Sequence, residues 1–159
     1  MSAHRNKCLN LDYFVSVDFL RLRDEKFPVL LTVVSIKQPE IVHVASVDIS
    51  DKLEMSCYLK RKYFIKQYMC EREVTVTIKP EKVESYLKSF QISNEEIGLS
   101  TWFATEGKEQ KDFFDNYLEE VTNIEFVFDK VFTVFDCRSC YTKYWVDRII
   151  DLRKTLCNH

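Results

Sequence analysis

The hydrophobic pattern is clearest between residues 13 and 50. Tyr13, Val15, Val17 and Phe19 alternate with Phe14, Ser16 and Asp18. Residues 28–36 (PVLLTVVSI) form a near-continuous apolar run. Ile41, His43, Ala45, Val47 and Ile49 then alternate with Val42, Val44, Ser46 and Asp48. Period-2 spacing of β-branched and aromatic residues predicts three strands. The polar stretches 24–26 and 37–40 have hairpin length. A middle strand apolar on both faces belongs inside a covered sheet.

Beyond residue 50 the period changes. Residues 51–70 fit a helix opened by Asp51 with Glu54 three positions on, close to a capping box. Within it, 57–69 also fits an edge strand. Val74, Val76 and Ile78 alternate with Thr75 and Thr77 and predict a fourth strand over 73–79. Pro80 suits the first turn of a following helix, and Val83, Leu87 and Phe90 give it an apolar stripe to about residue 91. Ser93-Asn94-Glu95-Glu96 reads as a capping box for a further helix through Trp102 and Phe103, broken by Gly107. Phe113, Tyr117, Leu118 and Val121 make the next helical stripe. Residues 124–135 (IEFVFDKVFTVF) read as one long strand or as a hairpin turning at Asp129-Lys130. Trp145, Ile149, Leu152 and Leu156 lie on one stripe of a last helix over 141–156.

The 159 residues suit one domain, 1–159, with 1–10 as a frayed start. Hydrophobic residues make up 46% of the chain, which excludes a disordered polymer. Gly98 and Gly107 are the only glycines. Neither sits in a phosphate-cradling pattern, which disfavours nucleotide-dependent kinases, GTPases and dehydrogenases. No apolar run reaches the length of a membrane span, and residues 1–10 lack the apolar core of a secretory signal. The six cysteines then point to a reducing, intracellular setting, cytoplasmic or nuclear, as thiols or metal ligands. The net charge of −2 is unevenly spread. Residues 51–82 carry eight basic and five acidic side chains, and residues 93–136 carry eleven acidic and three basic. A bipolar surface suits a macromolecular partner.

Three strands followed by helix, strand, helices, strand and helix is similar to the order of the ribonuclease H-like fold. The expected class is therefore α/β, a mixed sheet built from a three-strand meander and then α-β-α-β-α, with helices on both faces. Residues 12–50, 73–87 and 135–152 together resemble the Maelstrom domain, a germline small-RNA (piRNA) silencing module. The likeness lies in the aromatic-rich first strand, the second strand entered through Phe27-Pro28, the strand-to-helix stretch at 73–87, and the cysteine-bearing segment before an aromatic last helix. The family's metal site uses a Glu, a Cys-x-x-His pair and another Cys. Here residues 28–36 hold no Glu, and the pair is Cys137-x-x-Cys140.

Four constellations carry candidate chemistry. Cys137 and Cys140 have the spacing of a zinc half-site. Cys157 and His159 resemble a second half, but a helix over 141–156 would separate the two by about 24 Å. Cys57 or His43 are better partners. Nucleases of the ribonuclease H-like fold hold two metal ions on acids of the first strand, first helix, fourth strand and last helix. Asp18, Glu54, Glu81 and Asp147 or Asp151 occupy roughly those elements, and they would have to converge to hold metals about 3.5–4 Å apart. Lys60, Arg61, Lys62 and Lys66 with Tyr63 could track single-stranded RNA, the ring stacking on bases. The acidic stretch 93–120 carries Trp102 beside Phe103, which on a helix point about 100° apart. Either one ring faces outward as a partner-binding hot spot, or the short helix ends near Trp102 and both rings pack under the following loop.

The leading expectation is a non-catalytic protein-interaction module with RNA as a further partner. A metal-dependent nuclease and a zinc-stabilised adaptor without a nucleic-acid role are the alternatives.

Overall fold

The computed structural model describes residues 10–22, 24–52, 74–128 and 138–157. Strand β1, Tyr13–Leu22, lies at the middle of a six-stranded mixed sheet. It pairs antiparallel with β2, Glu25–Ser35, which pairs antiparallel with β3, Val42–Val47. Two short parallel strands, β5 (Phe103–Thr105) and β6 (Val121–Asn123), extend the sheet beyond β1. Strand β4, Val76–Ile78, runs parallel to β3 at the opposite edge. The order is β4-β3-β2-β1-β5-β6.

The alternation read in β1 is used in full. Val15 and Val17 enter one buried cluster with Leu31, Val33, Ala45, Val47 and Phe103. Phe14 enters a second with Val34, Ile36 and Ala104. Every residue of β2 from Val29 to Val34 is buried, as its unbroken apolar run predicts. The β1–β2 register slips between Asp18 and Phe19, which face Leu30 and Pro28, and leaves Val29 over. Such a bulge tolerates Pro28, which has no N–H to give to the ladder.

Four helices complete the described fold: α1 (Val83–Lys88), α2 (Ile92–Glu96), α3 (Lys108–Phe114) and α4 (Arg138–Cys157). Val83 and Leu87 of α1 and Phe114 of α3 pack into the first cluster. Trp145, Val146, Ile149 and Leu152 of α4 pack into the second, as the stripe on that helix predicts.

Several expected elements differ. The strand at 73–79 is shorter and pairs with β3 at the sheet edge. The helix expected through Trp102 and Phe103 ends at Glu96, and Phe103 opens β5. Gly98 accounts for the ending. Its φ is +75°, its N–H donates to Glu95 O (3.1 Å), and Leu99 N–H donates to Asn94 O (2.8 Å). This is a Schellman cap, which favours glycine at the left-handed position. The stripe at 113–121 also divides: α3 stops at Phe114 and Val121 begins β6. Of the strand or hairpin expected over 124–135, the described part, 124–128, is a turn, with Val127 N–H donating to Ile124 O (3.1 Å), and 129–135 lie outside the described residues. Of the helix expected over 51–70, the described part is the 3-10 turn Ser50–Lys52.

Strand β5 pairs with β1 only at Tyr13 and Phe14. Further along β1, side chains take over the ladder. Thr105 Oγ1 donates to Val15 O (2.7 Å). The Gln110 amide accepts from Val17 N–H (2.7 Å) and donates to Val17 O (2.9 Å). Buried backbone groups require partners, and one glutamine amide supplies both a donor and an acceptor.

Candidate docking surface on helix α2

The sequence-derived sites separate once the fold is in place. Phe103 is wholly buried in the first cluster, while half-buried Trp102 packs against the second. Adjacent residues in extended backbone point to opposite sides, so both rings serve the core rather than an exposed hot spot. Trp102 is also fixed through its backbone: its N–H donates to Asp12 Oδ2, and its carbonyl accepts from Asp12 N–H, each at 2.8 Å.

His43 lies with the first cluster, its ring 5.1 Å from that of Phe90. Cys140 is exposed near the start of α4, the helix packed into the second cluster. The sheet therefore separates this proposed ligand pair. Cys57, Cys137 and His159 lie outside the described residues. Helix α4 runs unbroken from Arg138 to Cys157, so Cys140 and Cys157 stand about 25 Å apart along its axis.

Of the acids proposed for a nuclease, Asp18 is half-buried on β1. Glu81 is exposed in the 3-10 turn Pro80–Lys82, and Asp147 and Asp151 are exposed on α4. Among the described residues, no group of three His, Cys, Asp or Glu side chains is placed to hold a metal ion. Glu54 and the RNA set Lys60, Arg61, Lys62, Tyr63 and Lys66 lie outside the described residues.

What the structure does gather lies on α2 and the turn that caps it. Ile92, Ile97 and Leu99 are 51%, 69% and 58% exposed. A Schellman cap commonly seats the residue after its glycine against an apolar residue one turn back. Here those earlier positions are Asn94 and Ser93, so Leu99 has no such seat and projects into solvent. The loop that carries it is held in place. Asn94 Nδ2 donates to Thr101 Oγ1 (3.0 Å), and Phe103 N–H donates to Glu120 O (2.9 Å).

Beside these residues lies a cavity of about 250 Å³ lined by Gln91, Glu95, Leu99, Thr101, Glu119 and Glu120, among others. Its electrostatics are dominated by carboxylates. Lys88 is held above the usual lysine range first by its hydrogen bond to Glu84, with Glu119 and Glu95 adding to the field. The 2.7 Å Lys88–Glu84 pair directs that ammonium to an acid outside the cavity lining.

The periodicity did not single out Ile92, Ile97 or Leu99. The available signal was local: a glycine after a short helix, flanked by Ile97 and Leu99, with polar residues where the cap's apolar contact belongs. No protein-family model matches the chain, and a search among curated proteins finds no match. No helix among the described residues is long and apolar enough to cross a membrane.

Proposed function

We propose that the chain is a non-catalytic, ribonuclease H-like module that docks a protein partner through α2 and its capping turn. The exposure of Ile92, Ile97 and Leu99 carries the reading. Three large aliphatic side chains within eight residues cost solubility and contribute to neither core, and an apolar surface rimmed by charge is the usual anatomy of an interface. The ribonuclease H-like placement is supported by the central β1, the antiparallel β2 beside it, and the parallel β5 and β6 beyond. The exposed aliphatic surface favours docking over metal-dependent cleavage.

The resemblance to the Maelstrom domain sets this proposal in small-RNA silencing inside germ cells, with single-stranded RNA contacted by Lys60, Arg61, Lys62, Lys66 and Tyr63. Alanine at Lys60, Arg61 and Lys62 together should weaken RNA binding and flatten its salt dependence. The docking reading is tested by copurification from the native source with wild type, Ile97→Asp and Leu99→Asp. A protein held by wild type and lost by both variants at unchanged melting temperature supports it. Equal capture by all three overturns it.

A further inference from the structure

The cavity beside α2 has a feature that a purely apolar docking surface does not require. Gln91 is only 8% exposed, and it lines the cavity. Its side-chain amide makes no hydrogen bond among the described residues. The amide is not sealed from solvent, so it is open to bond a group that enters the cavity. Around it stand Glu95, Glu119 and Glu120, with Leu99 at the margin. A volume of about 250 Å³ is smaller than the roughly 300–1,000 Å³ of pockets that take whole ligands or cofactors. It suits one long side chain.

We propose that this cavity receives an arginine side chain of the protein partner, set next to apolar residues that meet Ile97 and Leu99. This deepens the docking proposal and rests on it. Arginine fits better than lysine for a geometric reason. A planar guanidinium offers several donors in a fixed fork, enough to serve the Gln91 amide oxygen and a carboxylate together. It is also more weakly hydrated than an ammonium and enters a half-enclosed site more readily. Charge complementarity selects the partner class: a basic, aliphatic-bearing segment, and not an acidic one.

The test uses the full chain, ¹⁵N-labelled, titrated with N-acetyl-arginine methylamide and, separately, with its uncharged near-isostere N-acetyl-citrulline methylamide. The expected result is a saturable shift of the Gln91 side-chain resonances and of the backbone amides at 99–101 and 119–120, with arginine alone. The double variant Glu119→Gln/Glu120→Gln should weaken the response about tenfold or more, since charge-assisted hydrogen bonds are lost. Both changes are near-isosteric, and a preserved spectrum reports that the chain stays folded. Equal shifts with citrulline, shifts confined to other surfaces, or no shift in a folded wild type would each overturn the proposal. Self-association through this face, seen by sedimentation and abolished by Ile97→Asp, would also overturn it by making a second copy the occupant. The two proposals fail separately. Loss of partner capture by Ile97→Asp with no arginine response leaves docking standing without the arginine anchor. An arginine response with capture unchanged in Ile97→Asp removes the docking reading instead.

Discussion

Replacing Gln110 with leucine should destabilise the protein through two backbone atoms of another residue. The glutamine amide closes the β1 ladder where β5 has already ended, accepting from Val17 N–H at 2.7 Å and donating to Val17 O at 2.9 Å. Val17 is 1% exposed, so neither group has ready access to solvent. Leucine keeps most of the volume and removes both bonds. Each buried group left unpaired costs about 1–3 kcal/mol. Gln110 itself is half-buried, so water reaching the vacated side offsets part of this. The expected loss is about 2–3 kcal/mol. With a urea m-value of about 2 kcal/mol/M, the midpoint should fall by roughly 1 M or more at unchanged m. Gln110→Asn should behave similarly, since retracting the amide by about 1.5 Å puts both partners beyond hydrogen-bond range. Hydrogen exchange supplies the local control: the Val17 amide should lose protection in both variants, while Val15, on the same strand, keeps it. A leucine variant within about 0.5 kcal/mol of wild type, with Val17 still protected, would refute the assignment of this ladder to a side chain.

Asp48 is held down to about 2, first by hydrogen bonds from Ser50 and then by Lys79 at 3.0 Å. A depressed folded-state value contributes stability above the unfolded value near 4 that is lost as pH falls towards 2. Solvent screening limits it to about 1 kcal/mol. Acid titration of Asp48→Asn should lack that part of the loss, and a titration matching wild type would count against the pairing. Tyr86 is pushed up to about 12 by burial, and its hydroxyl has no hydrogen-bond partner among the described residues. Stability should therefore decline from pH 10 to 12, as the unfolded chain releases a proton that the folded one keeps. Tyr86→Phe should remove this decline and, measured by urea melts at neutral pH, raise stability by about 1 kcal/mol. Trp102→Ala should cost about 2–3 kcal/mol, below the range for a fully buried tryptophan because the ring is half-buried. Partner capture by folded Trp102→Ala at low temperature should match wild type, and selective loss there would return the ring to the interface.

The sequence alone determined the long elements. The alternation in β1, the apolar run of β2 and the stripe on α4 each extend over enough residues for a period of 2 or 3.6 to be distinguished, and each lies where the pattern sets it. The alternation at 74–78 also locates β4, whereas β5 and β6 have three residues apiece and lie in stretches that show no strand period. Phe103 illustrates the consequence. Beside Trp102 and after a capping box it fits a helix, and only pairing with Tyr13 and Val121 makes it a strand residue. Tertiary structure also decided the site. Exposure of Ile97 and Leu99 depends on what the rest of the chain leaves uncovered, and the placement of Gln91 beside Glu119 and Glu120 joins segments nearly thirty residues apart. Local sequence sets backbone preference over a few residues, whereas a surface is what remains after distant segments have packed.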